Sequence, residues 1–178
     1  MEYKTFLDLA LNRQSCRDFN DQEIDISKLK TAIETGLLAP SACNSQPWKV
    51  YCVTSEDKRA LVLDALTEMD RNLFLKKAKA FLVIVETEAV MKEDVKKRFS
   101  LDRFVKYDVG QLIAYITLAL KEQDLDSCII GWVNSAKLKS VLSLSEGQSS
   151  SIVIAVGKTD IETRKKARKP HSETVEYL

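Results

Sequence analysis

The stretch Ala39–Trp48, A-P-S-A-C-N-S-Q-P-W, sets Ser41, Asn44, Ser45 and Gln46 between Pro40 and Pro47 without a single charge. Each proline fixes its own φ and excludes a continuing helix. Each also pushes the residue before it toward extended geometry. The expected result is a stiff loop that presents neutral donors and acceptors in a fixed layout. Asn44 and Gln46 each carry a carbonyl and an NH2 group, so they can read a ring edge that alternates donor and acceptor. A flavin or nucleobase edge has that character; a phosphate does not. The same residues also suit an ordinary polar loop that caps a helix and turns the chain.

Before the loop, Ile26–Leu38 reads as a helix with Asp25 or Ser27 as N-cap and Leu29, Ile33 and Leu37 four apart. After it, Lys49–Thr54 is a β-branched strand pattern. Nearer the N-terminus, Tyr3–Gln14 has Phe6, Leu7, Ala10 and Leu11 at the spacing of one buried helical face. R-Q-S-C-R-D-F-N follows, Arg13 to Asn20. On an extended backbone Arg13, Ser15, Arg17 and Phe19 point the same way, and two guanidinium groups beside a hydroxyl make an anion site. A solvated basic turn is the other reading of these residues.

Further on, Ser55 starts a helix through Glu68, with Leu61 and Ala65 on one side, and Asp70–Lys79 is a connector holding Asn72 and Phe74. Ala80–Val85 is a continuous apolar run, as in a strand covered on both faces. Val90–Phe104 is charged and amphipathic. Tyr107–Gln123 is apolar nearly all round, which marks a core helix or a subunit interface. Ser127–Ile130 is a short strand running into Gly131-Trp132, Ser135 is placed to cap a helix through Leu142, and Ser151–Val156 is a last strand. A basic segment and an alternating tail, Ser172–Leu178, close the chain. Interspersed strands and helices imply α+β or α/β packing in three layers.

The 178 residues fit a single domain, 1–178. A net charge of +1 gives no overall field for nucleic acid or an anionic membrane. The longest apolar run is short for a span, and the N-terminus lacks a cleavable signal pattern, so a cytoplasmic protein is expected. Cysteines 16, 43, 52 and 128 form no C-x-x-C pair. Cys52 and Cys128, in apolar strand-like runs, read as small buried hydrophobes. The single histidine, His171, makes a Ser-His-Asp or Cys-His hydrolase a poor fit.

Five motifs, taken in order, resemble those of the nitroreductase family of flavin oxidoreductases. They are Arg13-x-Ser15-x-Arg17, Pro40-Ser41-x-x-Asn44-x-Gln46-Pro47-Trp48, Asp108-x-Gly110, Ser127-Cys128-x-x-Gly131-Trp132, and Lys166-x-Arg168-Lys169-Pro170. The resemblance covers nearly the whole chain. It implies a nitroreductase-like α+β fold: three layers, α/β/α, around a mixed, mainly antiparallel sheet. It also implies a homodimer with FMN at the subunit interface and the segment from about 160 to 178 bracing the partner. By the same resemblance, the cofactor-binding residues are Arg13, Gln14, Ser15, Arg17, Pro40, Ser41, Ala42, Asn44, Gln46, Asn72, Ile129, Ile130, Gly131, Lys166 and Arg168. The Ser41–Gln46 loop would arrive from the other subunit. No catalytic side chain and no metal are implied.

The chemistry of FMN fits these residue types independently. A buried phosphate dianion needs several cationic donors, and Arg13, Arg17, Lys166 and Arg168 supply them from opposite ends of the chain. The implied activity is ping-pong hydride transfer from NADPH or NADH through flavin N5 to an electron-poor acceptor such as a nitroaromatic or quinone. A flavin-binding protein for storage or sensing, and an enzyme acting on a specialised heterocycle, are the alternatives. The chain departs from the family at Asp124-Leu125-Asp126, where glycines are frequent, and at Lys79, where a proline is. It is also shorter than the larger members, which leaves either a more open flavin face or a lid made by 90–104.

Overall fold

The computed structural model describes residues 5–90, 93–98 and 102–178. In chain order these form α1 (Phe6–Asn12), α2 (Ile26–Gly36), β1 (Trp48–Val53), α3 (Glu56–Leu66), β2 (Ala80–Glu86), α4 (Glu93–Lys96), α5 (Asp102–Glu122), β3 (Asp126–Ile130), α6 (Ser135–Leu142) and β4 (Ser149–Gly157). The four strands pair antiparallel in the order β1-β2-β4-β3. A parallel bridge between Ser15 and Ser127 adds the segment after α1 to the β3 edge.

β2 shows why its sequence is continuously apolar. Successive side chains of a strand alternate between faces. Ala80, Leu82 and Ile84 enter one core with Leu29 and Ala32 of α2 and Leu112, Ile116 and Leu120 of α5. Phe81, Val83 and Val85 enter a second core with Val62, Ala65 and Leu66 of α3 and Leu138 of α6. Both faces of the sheet are therefore covered by helices, and the expected three-layer α/β/α architecture is what the chain adopts. α2 and α5 meet at Gly36, where an added Cβ would lie 2.2 Å from Ile116 Cγ1 and 3.1 Å from its Cα.

Local expectations hold in part. Asp25 caps α2, accepting from the Ser27 amide at 2.8 Å. The buried face of α2 is Leu29, Ala32 and Gly36, while Leu37 lies outside the helix and exposed. On α3 the core takes Val62, Ala65 and Leu66, and Leu61 faces out. Asn134, not Ser135, caps α6: its Oδ1 accepts from the Lys137 amide at 3.0 Å, and Ser135 Oγ donates to Ser150 O at 2.7 Å. α5 begins at Asp102, so the charged, amphipathic segment 90–104 holds the short α4 and the first turn of α5, with 91–92 and 99–101 outside the described residues. Cys128 is buried as expected, but Cys52 is exposed on the edge strand β1.

α1 departs most. Of the expected helix Tyr3–Gln14, residues 3 and 4 lie outside the described residues, and α1 covers Phe6–Asn12. It has the expected amphipathic spacing, yet Phe6, Leu7 and Leu11 are 72%, 65% and 51% exposed and no residue of it is buried. The apolar face exists, but among the described residues only Ala10 of it is partly covered.

Candidate functional site

The segment after α1 is held on the sheet by Cys16 N donating to Ser127 O at 2.9 Å and Asn20 N donating to Lys158 O at 2.9 Å. The expected two-residue alternation from Arg13 to Phe19 breaks between Arg17 and Phe19. Arg17 is exposed, whereas Phe19 is buried and packs where a Cβ on Gly157 would come within 2.6 Å of its ring.

The C-terminal basic run folds back onto this segment. Lys166 Nζ donates to the main-chain oxygen of Arg13. Arg164 donates from Nε to Gln14 Oε1 at 3.1 Å and from Nη2 to Ser15 O at 2.9 Å. Gln14 returns a bond from Nε2 to Glu162 O at 3.3 Å. The Gln14 side chain thus fixes the C-terminal segment to the first motif. Desolvation first, then the charges of Arg13, Arg168 and Arg164, hold the Lys166 ammonium below its ordinary range. Arg17 stands with Arg164 around Cys128 and along a cavity of about 140 Å3.

Arg13, Arg164, Lys166 and Arg168 therefore form one cluster of like charge. Among the described residues, no carboxylate forms an ion pair with any of them or with Arg17. Such a cluster can hold an anion between its members. Arg164 was not foreseen as a member. Its signal was present, since it stands two residues before Lys166 and an extended segment carries both on one side.

A groove of about 260 Å3 brings further motifs to the same place. Ala10 of α1 and Arg13 just after it line it, with Gly110, Ile113, Ala114 and Thr117 from α5 and Ile129 from β3. Ile129 is partly exposed, Ile130 is buried and Gly131 is exposed at the strand's end. Asn72 takes a left-handed conformation, φ 52°, and its Nδ2 donates to Leu66 O at 2.9 Å and Trp132 O at 3.3 Å. Asn72 is thereby tied to the turn after Gly131, so these two predicted positions are neighbours.

The Pro40–Pro47 loop is built by its own bonds and by α5. Cys43, Asn44 and Gln46 all have positive φ, 55°, 53° and 47°. Ser41 Oγ accepts from the Gln46 amide at 2.9 Å, Ser45 Oγ accepts from the Val90 amide at 2.9 Å, and Gln46 Nε2 donates to Asn44 Oδ1 at 3.2 Å. The buried Asp108 anchors the loop to α5, with Oδ1 accepting from the Ala42 amide at 3.1 Å and Oδ2 buried without a hydrogen-bond partner. Asp108 is a motif residue whose task the spacing did not disclose. Pro40, Asn44 and Gln46 are exposed, Ser41 and Ala42 partly so. Among the described residues no hydrogen bond or ion pair joins this loop to Arg13, Arg164, Lys166 or Arg168.

Comparison with known proteins shows the family of the chain. Residues 10–158 match the sequence description of the nitroreductase family. A Streptococcus pyogenes protein provisionally named an NAD(P)H nitroreductase is 27% identical over 197 residues, covering 96% of this chain and 98% of that one. A nitroreductase family protein from Streptococcus pneumoniae superposes with TM-score 0.84 at 24% identity, covering 98% of this chain and 100% of the other. A nitroreductase-like protein from Exiguobacterium sibiricum, crystallised in complex with FMN, superposes with TM-score 0.82 at 16% identity over 98% and 97% of the two chains. With its order of motifs, its three layers and this match over most of its length, the chain belongs to the nitroreductase family.

Proposed function

We propose that the chain is an FMN-dependent oxidoreductase that takes hydride from NADPH or NADH and passes it to a small electron-poor acceptor, a nitroaromatic or a quinone. The observation that carries this reading is the cluster of Arg13, Arg164, Lys166 and Arg168, which holds like charges together with no carboxylate among them. A phosphate dianion is the group whose charge and oxygens suit it.

FMN, when bound, supplies the two-electron chemistry, and the protein supplies position and electrostatics. Arg13, Lys166 and Arg168 would hold the phosphate, with Arg17 and Arg164 beside them and the Ser15 hydroxyl among the donors. Gln14 keeps the basic run in place through Arg164. Asn72 and the backbone of Ile129, Ile130 and Gly131 would face the ring end. Ser41, Asn44 and Gln46, with Pro40 and Ala42 shaping the backbone, would complete the site from a second subunit. No side chain need act as general acid or base, consistent with a sequence holding one histidine, which sits at position 171 in the C-terminal segment.

The homodimer is part of the proposal. The uncovered face of α1 supports it, as does the outer stripe of α5, where Tyr107, Gly110, Gln111, Ala114 and Tyr115 are exposed and uncharged. No helix among the described residues is long and apolar enough to cross a membrane. The test is the absorbance spectrum of purified protein reconstituted with FMN, before and after anaerobic NADPH. Bleaching of the flavin band, reversed by a nitroaromatic, is expected. A bound flavin that neither NADPH nor NADH reduces would leave only a binding protein.

A further inference from the structure

A second cationic feature lies outside the phosphate cluster. Arg71 follows a kinked turn in which Met69 and Asp70 have φ of 55° and 57°. Its guanidinium carbon stands 5.3 Å from the centroid of the Trp132 ring. The next residue, Asn72, donates to Trp132 O. Two consecutive residues therefore hold Trp132, one by its ring and one by its main chain. Trp132 directly follows Gly131 and is 49% exposed.

Two nearby carboxylates, Glu68 and Asp64, are engaged elsewhere, and Asp70, which precedes Arg71, forms no ion pair with it among the described residues. Glu68 accepts from Asn134 Nδ2 at 2.9 Å and pairs with Lys137 at 2.9 Å, and Asp64 pairs with Lys137 at 2.8 Å. Among the described residues Arg71 itself forms no ion pair. A guanidinium stacked on an indole keeps its in-plane N–H groups free for a carboxylate. The pair thus offers an aromatic face and a forked donor side by side.

We infer that Arg71 and Trp132 select the acceptor, favouring planar aromatic acceptors that carry a carboxylate over neutral ones of the same shape. This rests on the reading that Asn72 and Gly131 border the flavin ring. The acceptor is the ligand that meets this cation. On the donor, the nicotinamide carries only a neutral carboxamide, and the phosphates lie far along the dinucleotide.

The experiment compares 4-nitrobenzoate with 4-nitrobenzamide at saturating NADPH, in FMN-loaded wild type, Arg71→Gln and Arg71→Lys. Wild type is expected to prefer the carboxylate. Arg71→Gln should lower the ratio of kcat/KM values about tenfold, chiefly through KM for nitrobenzoate, the size of one lost charge-assisted bond. Its flavin content and its rate with the amide should be unchanged, and Arg71→Lys should keep part of the preference. In wild type the preference should also shrink between about 50 and 500 mM salt, as a solvent-accessible charge contact does. Equal kcat/KM for the two acceptors in wild type, or a ratio unmoved by Arg71→Gln, overturns the inference. So does a change confined to the NADPH-to-NADH ratio. Wild-type protein that holds no flavin, or that neither donor reduces, refutes the oxidoreductase reading itself and is recognised before any acceptor is added.

Discussion

Lys166 reaches back across 153 positions of sequence to donate its ammonium to the main-chain oxygen of Arg13. The bond closes the basic cluster from both chain ends and gives the first prediction. Arg13→Ala and Arg168→Ala should each weaken FMN affinity about ten- to a hundredfold, as expected for one charge-assisted contact to a phosphate. Fluorescence titration of the apoprotein measures this. Affinity unchanged in both variants would remove the clamp, and chromatography of heat-released flavin showing FAD would remove the ligand.

The depressed Lys166 ammonium sets a pH dependence. Its folded value lies below the ordinary 10.5, so between the two values the unfolded chain binds more protons. Stability of the apoprotein should therefore rise with pH through that window. FMN affinity should fall over the same window, since the dianion needs the ammonium charged. Lys166→Arg, always charged, should flatten the affinity profile measured from about pH 8 to 10. A profile identical in wild type and Lys166→Arg would place the titrating group elsewhere.

The α2–α5 contact leaves no room at Gly36. Gly36→Ala drives a methyl toward Ile116 Cγ1 and should cost about 1–3 kcal/mol, the range for overpacking. Ile116→Ala opens space at the same point, so the double variant should lose less than the sum of the singles. Strict additivity in urea unfolding would mean the two helices part rather than clash.

Assembly and cofactor binding should fail together. Light scattering should give about twice 20.1 kDa, and Tyr115→Asp on the exposed stripe of α5 should yield monomers with little flavin. Mixing Asn44→Ala/Gln46→Ala subunits with Arg13→Ala/Arg168→Ala subunits should restore about half the flavin capacity of each mixed dimer, because one site collects both lesions and the other none. With subunit exchange confirmed by mass spectrometry of tagged chains, no recovery would place the whole site within one chain.

The layered fold was legible because β2 is apolar without interruption and the helices carry clear periods; only burial on both faces suits such a strand. The candidate site residues were named through motif order, and the structure joins the first motif to the C-terminal basic run through Gln14, Arg164 and Lys166. The rest was hidden for separable reasons. Phe19 leaves the alternation begun at Arg13 because Gly157 opens a slot beside it, a tertiary accommodation with no local signal. The face of α1 was rightly read as apolar, but periodicity cannot say whether the cover is the same chain or another. Asn134 displaced Ser135 as cap because the Ser135 hydroxyl is engaged with Ser150 O. Arg71 on Trp132 joins positions 61 apart, with Arg71 in one of the two strained turns of the chain, and neither residue alone suggests the other.

Those turns carry a wider consequence. Among the described residues, eight non-glycine positions adopt positive φ, and six of them fall in two four-residue windows, Cys43–Gln46 and Met69–Asn72. A left-handed non-glycine residue costs on the order of 1 kcal/mol. Glycine at these positions would relieve that cost but leave the loops free to wander. The chain thus keeps local tension in the two segments that would face the isoalloxazine, and in return a ligand meets donors already ordered before it arrives. Evolution toward thermal robustness alone would erase this tension first, and with it the preorganisation on which recognition depends.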